Sequence, residues 1–475
     1  MSFKEYVELD GIALGALIVK GEVSAAEAVE AAIERIAAVD GRVNAVCIEM
    51  YEEARRVARA PLPAGPFAGV PFLLKDLHAL YAGFPTTNGS RFWVGNVADH
   101  DSTIVARYRS GGLAVVGKSN STELGLACET APVLYGATRN PYDLTLSAGG
   151  SSGGAAAAVA AREVPIAHAT DGGGSIRIPS AMCGTFGLKV SRARNPFGPD
   201  LGEGWNGLSV GHAITRTVRD SAALLDLTQG PEIGMPYACP APERPFLDEV
   251  GRDPGRLRIA FCSTDLEGGA IHPDVAEAVV AAARLLERLG HDVVETRPDL
   301  DMAGLKRATR ILVGCNIRNV LNMRVRAIGR EPAHGDVERI TELWSKESLT
   351  LTGADYAWAV TTIHRVGRAL GHFFEKHDLF LTATFASPPL PINTIDMMSD
   401  DLDAYYAGLR KHSAFTSLYN AAGCPAANVP VHWRADGLPL GVQLGARLGG
   451  EATILRVAAQ LEQAQPWHHR RPAGL

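Results

Sequence analysis

The chain reads as an α/β protein built on a large mixed, mostly parallel, twisted sheet covered by helices on both faces. Two alternations predict this. From residue 69 to about 230, short apolar runs alternate with alanine-rich stretches, the pattern of strand–helix–strand units that lay helices over a parallel sheet. A second alternation opens near residue 258 and ends in a strand-like run at 440–444. Composition agrees: 475 residues, 46% hydrophobic and 21% charged, suit a globular protein with a sizeable core.

Taken in order, the first sixty residues read as helices. Ser24-Ala25-Ala26-Glu27 is a capping-box start, followed by Val29, Ile33 and Ile36 at helical spacing. Pro61, Pro63, Gly65 and Pro66 mark a linker. Strands are expected at 70–74, 114–116 and 165–169, and alanine-rich helices at 155–161 and 222–227. Residues 230–255 are proline-rich and suit a surface crossing. Beyond it, 258–261 reads as a strand, 274–289 as an amphipathic helix ending at Gly290, and 291–295 as a strand. Residues 303–380 look mostly helical, 379–383 returns as a strand, and 451–463 is helical. The resulting division is 1–65 as a helical segment, 66–230 as the core, and 231–475 as an α/β part completing the same domain.

Bulk properties narrow the function. The net charge is −6 and no block of basic residues stands out, which disfavours nucleic acid. The first six residues contain no apolar signal core, and the apolar stretch 155–161 is too short to span a bilayer. Seven scattered cysteines without CxxC spacing argue against a disulfide framework and a zinc cluster. A cytoplasmic enzyme without metal or cofactor is the expectation.

Four motifs bear on chemistry. Gly112 followed by Gly117-Lys118-Ser119 matches a phosphate-loop spacing, but the intervening Leu113-Ala114-Val115-Val116 reads as buried strand. Gly149-x-Ser151-x-Gly153, or the frame shifted to Ser152, matches the nucleophile elbow of α/β-hydrolases. An elbow needs an apolar strand before the serine and a downstream histidine. Here a polar stretch precedes it, and the available histidines are His432, His468 and His469. The second glycine run, Asp171-Gly172-Gly173-Gly174-Ser175, sits between a strand and a helix entry at Ile176-Arg177-Ile178-Pro179. Free N–H groups at such a turn form an anion site, where an oxyanion would sit. Lys75 closes an apolar strand. Its plain fate is a solvated strand end, whereas burial would depress its pKa and make it a base.

Together these blocks resemble the amidase-signature family of serine hydrolases. The resemblance covers nearly the whole chain and is most specific at 69–76, 117–123, 136–189 and 215–226. It implies a Ser–cis-Ser–Lys triad with Ser175 as nucleophile, Ser151 after a cis peptide bond as proton relay, and Lys75 as general base. It also implies an oxyanion hole from Gly172, Gly173, Gly174 and the Ser175 N–H. Lys189-Val190-Ser191 and His212-Ala213-Ile214 depart from the family's usual residues, outside the triad. Within the family the chain looks most like the 6-aminohexanoate cyclic-dimer hydrolase branch, the nylon-oligomer amidases. Cys315 falls where that branch has a cysteine near the bound amide, although packing as a small hydrophobe is its plainer role. Tyr135, Phe197, Trp205 and Trp344 offer apolar walls. The implied substrate is a neutral or apolar amide, an aryl anilide or a carbamate, and a homodimer is compatible with the reading. Two alternatives stay open: an A-type subunit of the glutamyl-tRNA amidotransferase, which works with a partner subunit, and an α/β-hydrolase esterase using Ser151.

Overall fold

The computed structural model describes residues 4–475; residues 1–3, part of the stretch searched for a signal segment, lie outside the described residues. Among the described residues there are thirteen strands: β1 (Val46–Glu49), β2 (Pro71–Lys75), β3 (Ala114–Ser119), β4 (Arg139–Asn140), β5 (Asp143–Ser147), β6 (Ile166–Asp171), β7 (Phe186–Lys189), β8 (Val210–Thr215), β9 (Arg258–Phe261), β10 (Asp292–Glu295), β11 (Leu379–Ala383), β12 (Ala426–Trp433) and β13 (Pro439–Gly445). Eleven of them form one mixed sheet in the order β1-β3-β2-β6-β8-β7-β12-β13-β11-β9-β10, and β4 with β5 makes a separate hairpin.

The parallel pairings lie in two flanking blocks, β3-β2-β6 and β11-β9-β10. Between them, β6-β8-β7-β12-β13-β11 pairs antiparallel throughout, as does β1 on β3 at the edge. Strands from both halves of the chain therefore share one sheet. The flanks are what the sequence announced, because their strands are short apolar runs followed by helices. In the middle, β13 coincides with the strand-like run expected at 440–444, whereas β7, β8 and β12 had no such expectation. β7 ends in a lysine, β8 contains glycine and histidine, and β12 carries Asn428 and Pro430. Such residues argue against a central strand when read locally. Pro430 is tolerated because the register of β12 on β13 shifts between Val429 and His432.

The N-terminal helices form largely as expected. Helix Ala25–Val43 opens with a full capping box: the Glu27 N–H donates to Ser24 Oγ at 3.1 Å and the Ser24 N–H to Glu27 Oε2 at 2.9 Å. The short β1 interrupts this helical stretch, entered from Asn44 in the left-handed conformation. The phosphate-loop match is strand: Lys118 lies within β3, fully buried, donating to Ala79 O at 3.1 Å and to Thr86 Oγ1. Among the described residues no helix is long and apolar enough to cross a membrane.

Helix Gly153–Ala160 runs through the interior with every residue buried. Its alanines and glycines follow from the lack of room. A Cβ at Gly154 would come within 2.5 Å of the Asn120 N and 2.6 Å of the Ala45 O, both backbone. Backbone cannot swing away as a side chain can, so Gly154→Ala is expected to destabilise the fold by about 1–3 kcal/mol, read as a lowered thermal midpoint. An unchanged midpoint would show that this contact yields.

Candidate active site

Three segments converge where β2 and β6 end side by side. β2 is buried along its whole length and delivers Lys75 into the interior with no exposed surface. Its amine lies 2.7 Å from Ser151 Oγ and 2.9 Å from Thr170 Oγ1, the latter supplied by β6. The Lys75 N–H donates to His168 Nδ1 at 3.3 Å. Burial pulls the Lys75 pKa down to about 7, with the Asp171 carboxylate opposing the shift. The same burial, reinforced by Lys75, lowers His78 to about 4 and His168 to about 3, so both rings are neutral.

Ser151 follows a cis peptide bond to Gly150. Gly149 has φ +79°, and a Cβ on Gly150 would approach the Glu129 backbone to 2.6 Å, so only glycine fits this approach. The neighbouring Ser152 turns elsewhere, donating to Thr170 O at 3.2 Å. His432, His468 and His469 do not line the cavity around Ser151, whose hydroxyl partner is an amine. The nucleophile-elbow alternative thus lacks its downstream histidine; His78, which does line that cavity, precedes Ser151 in the chain.

The loop from Asp171 to Ser175 is held by a buried ion pair. Arg177 sends Nε to Asp171 Oδ2 at 2.9 Å and Nη2 to Oδ1 at 2.8 Å, with both side chains fully buried. Burial alone would raise the Asp171 carboxyl. The Arg177 charge, with hydrogen bonds from Arg177 and Asn420, outweighs it and holds the group well below the usual carboxylate range. The carboxylate also accepts the N–H groups of Gly174 at 2.8 Å and Ile176 at 3.1 Å. The Gly174 N–H is therefore already committed. Gly172, Gly173 and Ser175 instead line a cavity, and Ser175 keeps 9% of its surface exposed.

The walls of that cavity include Gly125 to Cys128, Trp205 with Leu208, and Thr309, Val313 and Trp344. Trp205 takes a left-handed backbone (φ +50°), unusual for a bulky residue, and its ring covers Gly172, where a Cβ would meet it at 2.7 Å. Tyr135 lies elsewhere, its hydroxyl 3.2 Å from Thr87 Oγ1. Phe197 faces His78 with ring centroids 6.5 Å apart. Cys315 is half-buried beside Tyr356, whose hydroxyl bonds Asn206; it neighbours the cavity without lining it. Two features had no sequence signal. Thr170 is an ordinary strand residue until the fold sets it against Lys75. Helix Leu402–His412, which contributes Tyr406, Leu409 and Arg410, closes the cavity from far along the chain.

With this geometry in place, comparison with known proteins identifies the class. The amidase family model matches residues 27–455, and the chain belongs to that family. It is 37% identical to the 6-aminohexanoate-cyclic-dimer hydrolase of Paenarthrobacter ureafaciens, over 98% of this chain and 96% of that protein. It is 34% identical to an acylamidase of Rhodococcus erythropolis, over 98% of this chain and 97% of that protein. A solved structure of a 6-aminohexanoate cyclic dimer hydrolase superposes with a TM-score of 0.94 at 36% identity, covering 98% of this chain and 99% of that one. The protein is an amide-hydrolysing enzyme.

Removing the loop's anchor tests its role. Asp171→Ala strands a buried guanidinium, which is expected to cost about 3–5 kcal/mol and to lower the thermal midpoint. Asp171→Asn, which keeps the shape, should fold better and still lose turnover because the Gly172–Ser175 loop relaxes. A fully active Asp171→Asn would refute the positioning role.

Proposed function

We propose that this amidase hydrolyses carbon–nitrogen bonds of neutral or largely apolar amides through an acyl-Ser175 intermediate. The observation that carries the reading is the 2.7 Å hydrogen bond from a fully buried lysine to Ser151, which lines a small cavity together with Ser175.

The proton path follows from the amine's setting. A lysine with a pKa near 7 is partly neutral at physiological pH and can accept a proton from Ser151. Ser151 in turn takes the Ser175 proton as Ser175 attacks the amide carbonyl. The N–H groups of Gly172, Gly173 and Ser175 are the donors nearest the developing oxyanion. Gly174, with its N–H engaged, serves the loop's shape. Collapse of the tetrahedral intermediate expels the amine, which takes its proton from Ser151. Water then attacks the acyl-enzyme along the same path in reverse. Thr170 fixes the amine between two hydroxyls, so that it points at Ser151.

For the substrate, the relatives supply the lead. The 6-aminohexanoate cyclic dimer, a neutral and mostly methylene ring, matches a cavity walled by Ile178, Trp205, Val313 and Trp344. Aryl anilides and carbamates present the same reacting carbonyl. Cys315 remains a proposed substrate contact, since one turn of its helix carries Val313, which lines the cavity; Tyr135, set against Thr87, is not one.

Three measurements test the assignment. Ser175→Ala should abolish turnover and labelling by a fluorophosphonate, while variants at His432, His468 and His469 retain both. The wild-type kcat/KM should rise with pH by about one log unit per pH unit below the Lys75 pKa of about 7, then level off, because only the neutral amine accepts a proton. Lys75→Ala should lose activity across the whole range; near wild-type rates at alkaline pH would remove Lys75 from the mechanism.

A further inference from the structure

Arg410 lines two cavities at once: the one that holds Ser175, and a larger open vestibule between helix Leu402–His412 and the segment around Asp265 to His272. The two spaces share Tyr406 and Arg410. Tyr406 is firmly seated, its hydroxyl donating to Lys306 O at 2.7 Å and its ring packed edge-on against Trp344 at 5.7 Å. The Arg410 guanidinium lies 5.7 Å from that ring centroid.

Every acid lining the vestibule already has a partner. Asp403 pairs with Arg310 at 2.6 Å, Glu267 pairs with Lys306, and Asp265 accepts the N–H groups of Glu267 at 2.9 Å and Gly269 at 2.7 Å. Among the described residues, the side chains of Arg410 and its neighbour Lys411 have neither an ion pair nor a hydrogen bond. His412, the next residue, is tied to Ser387 Oγ at 3.1 Å. A half-buried arginine fork with five free donors, in the wall shared by the two cavities, is built to receive a carboxylate.

We infer that Arg410 is a specificity-determining residue that binds the carboxylate end of a linear amide reaching in from the vestibule, while Ser175 acts on the amide bond in the inner cavity. The preferred substrates are then carboxylate-terminated chains with a methylene spacer, beyond neutral amides alone. This deepens the function proposed above and rests on it.

The test uses two matched pairs: adipic acid monoanilide against hexanoic anilide, and N-hexanoyl-6-aminohexanoate against N-hexylhexanamide. Wild type should favour the carboxylated member of at least one pair. Arg410→Gln should cut that preference about ten- to a hundredfold, through KM and not kcat. Arg410→Lys should restore part of it, and Arg410→Glu should reverse it. A wild type without preference in either pair, or a preference unmoved in all three variants, overturns the inference. Ser175→Ala, assayed on the neutral members, separates this outcome from the reading beneath it: turnover retained there would defeat the Ser175 assignment whatever Arg410 does.

Discussion

The site depends on keeping a lysine out of water. Lys75 ends a strand whose every residue is buried, and its amine is left with two hydroxyls and the distant field of one carboxylate. An ammonium in that setting loses hydration that neither hydroxyl replaces, so its pKa falls. Had β2 been an edge strand, the same residue would have reached solvent and remained an ordinary cation. The parallel neighbours β3 and β6 close both sides of β2, and so they fix the chemistry of Lys75 as much as its position.

A second buried ionic element performs a different task. Asp171 and Arg177 neutralise one another without exposing either, and their remaining hydrogen-bonding capacity goes to Gly174, Ile176, Thr416, Asn420 and Gln443. A buried pair is weak evidence for net stability, since hydrophobic replacement is often neutral or better. Its value here is geometric. It ties the glycine loop after β6 to β13 and to the helix Ser417–Ala422, joining segments some 250 residues apart in sequence around Ser175. Glycine alone would leave that loop free to take many shapes.

Much of the site was legible because its residues are locally anomalous. Serines framed by glycines, a glycine run between a strand and a helix, and a lysine ending an apolar run each break the pattern expected of plain structure. Those breaks point to Ser151, Ser175 and Lys75. Thr170 breaks no pattern, being a β-branched residue in a strand, and only its distance from Lys75 gives it meaning. Arg410 is equally silent, one of three basic residues at the end of an amphipathic helix. Tyr135 and Phe197 show the converse: aromatic character alone does not say which side of a loop faces the cavity.

The flanks of the sheet and the helices over them followed from the sequence itself, since apolar runs of strand length and alanine-rich stretches report burial through composition. The antiparallel centre required the tertiary structure. β7, β8 and β12 carry glycine, histidine, asparagine and proline, and their polar groups are satisfied only by partners far along the chain, as when Asn428 donates to Thr185 O at 2.9 Å and accepts from Thr384 Oγ1 at 2.7 Å. Sequence determines which residues are able to react, because that is a property of each side chain and its neighbours. Which of them meet, and which amine stays dry, depends on long-range pairing, whose energy no local window contains.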